Sequence, residues 1–330
     1  MFRNITAFVG GIILFYLFLW VVIVLQFGRP TIGTYWIAAV HKVKLDAAKR
    51  MPSPKLIVLG GSGAHFGISA KRLQDRLGLP CVNFASHAAL EFSYHFYRVK
   101  QCARPGDIVF LCLEYEYYPR EESWTPKMLD LTVDTIVSRD PDFVRQMSLV
   151  DKWKVMNAMS NRRLIQGFQK PIYSDEQINQ NHEQAIYHPF YLNENGDQIG
   201  HGPKWQRPQS PDIFRPSLVV SNASIKPLAK YSNFAEMAHW AQENHVVLLV
   251  GYPNLARLPS YTQANIDKTE TAIKTLWAGL GVDVIGSVQD AFVKPEDMLD
   301  TRYHPMEEPA LERTDRLVPY LKPYILSKKQ

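Results

Sequence analysis

The sequence predicts a three-layer α/β/α protein with a mainly parallel sheet of about five strands. Short continuous runs of Val, Ile and Leu alternate with amphipathic segments of helical length, and glycine, proline or polar residues stand at the junctions. Such continuous apolar strands are typical of a parallel sheet that helices cover on both faces. Two further features are an uncharged N-terminal segment and a long insertion that interrupts the alternation.

The N-terminal segment Ile5–Phe27 is long enough and apolar enough to cross a bilayer. No small-residue cleavage site follows it, so residues 1–28 are predicted to be an uncleaved anchor. Arg3 precedes the segment, whereas several basic residues, beginning with Arg29, follow it. This charge bias favours a cytoplasmic body, but such counts weigh less when a long domain follows.

Residues 29–54 are predicted to form an amphipathic linker helix. Their apolar side chains recur at helical spacing, at Trp36, Val40, Val43, Ala47 and Met51. Two interpretations remain open, since such a helix can rest on the membrane surface or pack against the body.

The body is predicted to span residues 55–330. Its strands, in chain order, are 55–60, 80–84, 107–113, 245–251 and 282–285. The helices between and after them are 69–78, 91–103, 232–244, 264–280 and 309–326. Ser69 is a natural N-cap, and Gly78 suits the end of the same helix.

An insertion of about 117–227 separates the third strand from the helix before the fourth. It is rich in Pro, Asn, Gln, Trp and Tyr, with a turn predicted at Asn193–Asp197. Insertions of this length often build lids or binding surfaces, and this one is expected over the carboxyl edge of the sheet.

Composition and motifs exclude several classes of function. The net charge is +5, but the basic residues are scattered and match no nucleic-acid motif, so no nucleic-acid partner is predicted. Gly61–Phe66 resembles a dinucleotide fingerprint, yet its third glycine is displaced to Gly67. No cofactor and no metal site is predicted. The three cysteines are expected to be buried free thiols.

Ser62 directly follows the first predicted strand, after Gly60 and Gly61. Glycines there permit a tight turn and a close approach of other groups to the backbone. Open α/β sheets bind their ligands at the carboxyl ends of the strands. Ser62 is therefore a candidate nucleophile, and the alternative is a serine that caps the turn.

The polar segment before the last predicted helix contains Asp300 and His304. Acyl transfer by serine needs a base within hydrogen-bond reach and a group that orients the base. A doubly wound sheet can bring both ends of the domain to one edge, so Ser62, His304 and Asp300 are the predicted catalytic residues.

These blocks resemble the SGNH (GDSL-type) hydrolase superfamily, and in particular its membrane-anchored branch of polysaccharide O-acetylation proteins, such as those for alginate. Residues 55–67 match the nucleophile block, Asn83–Ala89 the second block, and Asp300 with His304 the last block. The resemblance implies an SGNH, flavodoxin-like fold. It covers roughly 55–120 and 230–325, and the insertion has no counterpart.

The resemblance implies an oxyanion hole and substrate contacts at Gly63, Ala88 and Asn83. Glu114 stands at the end of the third predicted strand, and Tyr252 and Asn254 follow the fourth, so these three are expected at the same edge as candidate substrate contacts. Pro253 also suits an ordinary turn there. Ala88 stands where the second-block glycine is usual, and its N–H can still serve. The third-block asparagine is missing, since Leu113–Tyr117 stand after the third strand, and losing such a donor typically costs about 10²–10³ in rate. Glu114 could bind a sugar hydroxyl, hold His304, or pair with Arg120 or Arg302. The spacing from Asp300 to His304 is one residue longer than usual.

Two functions are therefore expected. The first is an acyltransferase or esterase that acts on hydroxyls of a cell-surface or exported polysaccharide, with a membrane-bound O-acyltransferase as donor partner. The alternative is a catalytically silent protein that binds polysaccharide or scaffolds a membrane complex. The resemblance implies a bacterial-type inner membrane, with the bilayer contacted through residues 5–27 and the body in the periplasm or outside the cell.

Overall fold

The computed structural model describes residues 2–119, 126–160, 163–165, 186–217 and 232–326. The chain divides into two compact units. One comprises Met1–Ala38 and Trp124–Gln180, and the other comprises Ala39–Ser123 and Asn181–Gln330. The predicted insertion is thus shared between the units.

The principal elements are numbered here in chain order. The helices are α1 (Phe2–Val24), α2 (Tyr35–Arg50), α3 (Ser62–Gly67), α4 (Ala70–Leu77), α5 (Phe92–Lys100), α6 (Pro126–Arg139), α7 (Pro141–Gln146), α8 (Leu149–Asn157), α9 (Ser232–Glu243), α10 (Gln263–Ala278), α11 (Val288–Ala291) and α12 (Glu307–Leu326). The strands are β1 (Leu56–Gly60), β2 (Cys81–Asn83), β3 (Ile108–Cys112), β4 (Val247–Gly251), β5 (Leu255–Ala256), β6 (Asp283–Val284) and β7 (Phe292–Val293).

The first unit contains α1, with an apolar stretch, Ala7–Val24, that is long enough to cross a membrane and has none of its residues buried. The chain after α1 is tied to the helices of the same unit. The Gly28 N–H donates to the Val137 carbonyl of α6 at 2.8 Å. Arg163 donates to the carbonyls of Gln26 and Arg29. The prediction of one N-terminal helix that is apolar enough to span a membrane is confirmed.

The second unit contains a five-stranded, wholly parallel sheet in the order β2-β1-β3-β4-β6. A separate parallel pair joins β5 and β7. The prediction of a mainly parallel five-stranded sheet is confirmed, although the last strand is only two residues long. The order corresponds to the doubly wound arrangement in which the strand order reverses between β1 and β3.

Two hydrophobic layers cover the sheet. Alternate residues of β1 and β3, such as Ile57 and Val109, share one core with side chains of α5, α9 and α10. Their neighbours, such as Leu56 and Ile108, share the other core with side chains of α4 and α12. The strands are apolar on both faces because each face is buried under helices.

The carboxyl-terminal part of α2 packs against the sheet domain. Ala47 and Ala48 belong to the first of these cores. Lys44 is fully buried, with its Nζ within hydrogen-bond distance of three acceptors. Of the two interpretations of the linker helix, packing against the body is therefore the one that the structure shows.

The second part of the insertion joins the sheet domain. A turn closes where it was predicted, with the Gly196 N–H donating to the Asn193 carbonyl. Asp197 then accepts the backbone N–H groups of Ala70 and Lys71, at 2.6 and 2.8 Å, and so caps α4. Cys81, Cys102 and Cys112 are buried free thiols, as expected.

Candidate active site at the sheet switch point

Ser62 begins α3 immediately after β1, on a turn that only glycine permits. A Cβ on Gly60 would collide with the Cys112 carbonyl of the neighbouring strand. A Cβ on Gly61 would lie 2.5 Å from Glu114 Oε1 and 2.7 Å from Ala88 Cα. The two glycines therefore let the chain turn sharply against β3 and the segment after β2. Ser62 lies at the carboxyl ends of the strands, next to the switch point between β1 and β3.

Asp300 and His304 lie on a loop that closes on itself. Met298 and Pro305 form an antiparallel bridge, and the Leu299 N–H donates to the His304 carbonyl at 2.7 Å. His304 Nδ1 lies 2.8 Å from Asp300 Oδ1. The bridge brings both side chains together despite the extra residue between them, so the longer spacing still permits the pairing that the triad requires.

Tyr187, from the insertion, also contacts this pair. Its hydroxyl donates to Asp300 Oδ2 at 2.5 Å and lies 3.2 Å from His304 Nδ1. Burial raises the pKa of Asp300, but the hydrogen bonds from His304 and Tyr187 outweigh it and leave the pKa below the ordinary value. Asp300 is therefore held as a carboxylate that can orient an imidazole.

Contacts with α3 place His304 beside the nucleophile. The imidazole stacks on the Phe66 ring, with centroids 4.5 Å apart. Phe66 is one helical turn after Ser62, so the two lie on the same side of α3. The Tyr303 Cβ lies 3.3 Å from where a Cβ on Gly63 would stand. The loop thus reaches the first turn of α3.

Ser62 and His304 are not hydrogen-bonded to each other. Within the described residues, the Ser62 hydroxyl and His304 Nε2 make no hydrogen bond at all. Catalytic hydrogen bonds are often long before substrate binds and tighten in the complex. Both reactive atoms are accordingly free to engage a substrate.

The backbone donors near Ser62 differ from those implied by the resemblance. The Gly63 N–H is not available to an oxyanion, because it donates to Glu114 Oε1 at 2.7 Å. In the described part of the chain, the N–H groups of Ser62 and Ala88 make no hydrogen bond. These two amides are thus candidate oxyanion donors, with Ala88 in the predicted role and Ser62 in place of Gly63.

Asn83 has no polar group left for a substrate. Its Nδ2 donates to three backbone carbonyls, those of Ala64, His65 and Ile68. Its Oδ1 accepts from Lys44 Nζ and from the Ala85 N–H. The prediction that Asn83 contacts the substrate is corrected: this side chain fastens α3 to β2.

Tyr252 and Asn254 are also corrected. Tyr252 is almost fully buried in the core shared with α9 and α10. Asn254 is equally buried, donates to the Tyr303 carbonyl, and lies where a Cβ on Gly67 would stand. Asn254 joins the end of α3 to the loop that contains His304. A polar residue after a strand predicts the correct edge of the sheet, but not the direction of its side chain.

Glu114 follows β3 and faces the turn that contains Ser62. Its Oε2 atom is fully buried and has no hydrogen-bond partner among the described residues. No ion pair with Arg302 forms, since Arg302 pairs with Glu116 at 2.7 Å and with Asp212. Arg120 lies outside the described residues. Glu114 does not hold His304 either, because the hydrogen bonds of that imidazole go to Asp300 and Tyr187.

The other histidines near the turn are engaged in structural contacts. His65 lies between Lys44 Nζ at 2.8 Å and Gln198 Oε1 at 3.0 Å. Burial lowers the pKa of His87 to about 4. His304 is the buried histidine whose ring is paired with a carboxylate in the described chain, and is thus the residue suited to act as base.

Sequence analysis missed two contributors to this site. Tyr187 lies in the insertion, where no motif distinguished it from neighbouring aromatic residues. Glu116 accepts hydrogen bonds from Tyr303 and Ser217 in addition to pairing with Arg302, and so fixes the back of the His304 loop. Among the residues that the structure describes, no group of His, Cys, Asp or Glu side chains is placed to hold a metal ion.

No model of a known protein family matches the chain, and no curated protein sequence matches it significantly.

Proposed function

We propose that the protein is a membrane-anchored serine O-acyltransferase or esterase that acts on carbohydrate hydroxyls. The observation that carries the proposal is the Asp300–His304 pair, 2.8 Å apart, held beside the first turn of α3. A serine hydroxyl is a weak nucleophile near neutral pH and needs such a base. The resemblance to SGNH proteins supports a polysaccharide as the substrate.

The reaction proceeds in two steps. The Ser62 Oγ attacks the carbonyl carbon of an acyl ester while His304 Nε2 takes its proton. The tetrahedral intermediate then collapses, the donor's alkoxide leaves with that proton, and acyl-Ser62 remains. In the second step, His304 deprotonates a sugar hydroxyl or water, which attacks acyl-Ser62 and releases the serine. Transfer and hydrolysis differ only in this second nucleophile.

A membrane-bound O-acyltransferase is the proposed partner that supplies the acyl donor, and the proposed location is a bacterial-type inner membrane with the body in the periplasm. Digestion of intact spheroplasts by an added protease tests the orientation. We expect the body to be degraded while a cytoplasmic control protein survives. A protected body would contradict the proposed location and the polysaccharide substrate.

A second candidate function is favoured by the side of the site that would stabilise an oxyanion. This oxyanion side comprises the turn at Gly61–Gly63, Ala88 and Glu114. The Gly63 N–H is occupied by Glu114, and no asparagine stands after β3. These features would leave a forming oxyanion with fewer donors. The alternative is therefore a catalytically silent protein that binds polysaccharide or scaffolds a membrane assembly.

Covalent labelling separates the two functions. The full chain in detergent is treated with a fluorescent serine-directed phosphonate, and the labelled peptide is identified by mass spectrometry. We expect wild-type protein to be labelled at Ser62, and Ser62→Ala to lose the label. Ser260→Ala, at an exposed serine far along the chain, serves as the matched control and retains it. Unlabelled wild-type protein would refute covalent catalysis.

A further inference from the structure

The Glu114 side chain has one carboxyl oxygen, Oε2, with no role in the acyl-transfer steps proposed above. Oε1 accepts the Gly63 N–H at 2.7 Å, whereas Oε2 is fully buried and without a partner in the described chain. A buried carboxylate oxygen that lacks a donor is costly, because it has lost its hydration and gained nothing in exchange. Such an orphaned atom in a native structure calls for an explanation.

The carboxyl group of Glu114 lies against the two glycines that flank the nucleophile, Gly61 and Gly63. A Cβ on Gly61, the residue before the nucleophile, would meet Glu114 Oε2 and Ala88 Cα at the same time. The carboxyl group, the Ala88 backbone and the start of α3 therefore surround one point beside Ser62. Two backbone N–H groups without a hydrogen bond in the described chain lie nearby, that of Ser62 at the start of α3 and that of Ala88 in the segment after β2.

The two protonation states of Glu114 have opposite chemical consequences. An ionised carboxylate would place negative charge next to a forming oxyanion and would oppose it. A neutral carboxyl group keeps its carbonyl oxygen for the Gly63 N–H and turns the other oxygen into an O–H donor. A neutral buried acid that donates to an oxyanion is an established catalytic device in an unrelated isomerase.

We propose that Glu114 is a neutral hydrogen-bond donor whose Oε2–H completes the oxyanion hole with the N–H groups of Ser62 and Ala88. It takes the place of the asparagine that is missing after β3. This inference rests on the proposed acyl-serine function and specifies how that site stabilises its intermediate. The proton stays on Glu114 during the reaction, so the hydrogen bond strengthens without a further transfer.

The surroundings of Glu114 favour the neutral form. Burial raises the pKa of this carboxyl, the Gly63 N–H opposes that rise, and the nearby charge of Glu116 adds to it while His304 lowers it. The net direction is upward. Arg302 neutralises much of the Glu116 charge, because the two are paired at 2.7 Å. The segments around Glu114 are 62–67, 84–90, 112–117 and 300–304. Their other titratable and charged groups are His65, His87, Cys112, Tyr115, Glu116, Tyr117, Asp300, Arg302, Tyr303 and His304.

Two substitutions distinguish a donor from a carboxylate. Glu114→Gln keeps the shape, the acceptor for Gly63 and a donor that does not titrate, whereas Glu114→Ala removes the donor. The rate of Ser62 acylation by an activated ester is measured from mildly acidic to alkaline pH, with the full chain in detergent. We expect Glu114→Ala to lose about 10²–10³-fold and Glu114→Gln to stay within about tenfold of wild type.

The pH dependence supplies the decisive comparison. The ratio of wild-type to Glu114→Gln rates should fall as the pH rises through the pKa of Glu114, because only wild type loses its donor there. Because both proteins contain His304, the effect of its ionisation on the acylation rate cancels in this ratio. A Glu114→Gln variant as slow as Glu114→Ala, or a ratio that does not fall with pH, would overturn the proposal.

A readout without catalysis keeps this inference separate from the function on which it rests. In the Ser62→Ala background, the infrared band of a protonated carboxyl group should disappear when Glu114→Gln is added. Wild type should also lose stability relative to Glu114→Gln as pH rises from the ordinary glutamate value through the raised one. Absence of both signals would refute a neutral Glu114. Wild-type protein that never acylates Ser62 would instead refute the proposed function, and with it the donor role.

Discussion

The two sides of Ser62 differ in how many of their polar groups already have hydrogen-bond partners within the protein. On the base side, His304 Nδ1 is paired with Asp300, and Tyr187 donates to the second carboxylate oxygen. On the oxyanion side, Glu114 is bonded through one oxygen only, and two backbone N–H groups have no partner in the described chain. The base side is thus preorganised by its own contacts, whereas the oxyanion side keeps donors that only a ligand can satisfy.

This difference in hydrogen bonding indicates where substrate binding should change the structure. Groups that already have partners gain little when a ligand arrives, while unsatisfied buried groups gain a full hydrogen bond. Catalysis uses interactions that strengthen in the transition state, so unsatisfied donors are expected where negative charge develops. Substitutions on the two sides should therefore have different signatures.

The largest expected effect is the loss of the base. His304→Ala should reduce the turnover of an activated ester by at least about 10⁴-fold, nearly as much as Ser62→Ala, because triad members act as a unit. Ester-hydrolysis assays measure both variants and the double variant. If the losses in the double variant multiplied, the two residues would not act together, and the base assignment would fail.

Asp300→Ala should cost about 10–100-fold less than His304→Ala. The carboxylate orients the imidazole and stabilises its charged form, but it does not carry the transferred proton. The same ester-hydrolysis assay gives the ratio, with Asp297→Ala on the preceding turn as a control. A loss as large as that of His304→Ala would indicate that Asp300 also maintains the loop, which thermal unfolding would reveal.

The two glycines that flank Ser62 test how tightly the oxyanion side is packed. Gly61→Ala should destabilise the fold by about 1–3 kcal/mol, since its Cβ would meet the Glu114 carboxyl and the Ala88 backbone. Gly63→Ala should cost less, because its Cβ would approach Glu114 Oε1 and Tyr303 Cβ only to 3.1 and 3.3 Å. Urea unfolding of both variants measures the difference. Equal costs would mean that Glu114 moves away readily and is not held in place.

The smallest expected effect concerns Tyr187. Tyr187→Phe removes one donor to Asp300, a loss of about 1 kcal/mol, and should slow acylation several-fold. The pKa of Asp300 is held down partly by this hydroxyl, so the variant should lose activity at a higher pH than wild type when the solution is acidified. Tyr191→Phe is a matched control from the same segment. An unchanged acid limb would show that His304 alone sets the ionisation of Asp300.

The base side could be predicted from sequence to a larger extent than the oxyanion side. Asp300 and His304 are close in the chain, and their residue types define their roles, so a local pattern identified both. Tyr187 contacts them from an insertion without any motif. The oxyanion side is assembled from Gly61, Ala88 and Glu114, which come from three separate segments, and no spacing in the chain encodes their approach.

Local sequence patterns suffice to predict the apolar N-terminal helix, the alternation of strands and helices, and the placement of Ser62 after the first strand. These follow from hydrophobic periodicity and from glycine, which act over a few residues. Only the tertiary structure decided that Asn83, Tyr252 and Asn254 turn inward, that Gly63 donates to Glu114, and that α2 packs on the sheet domain. The physical reason is that a side chain's partner depends on which segments meet in space, and burial then makes each unsatisfied polar group costly enough to select one arrangement.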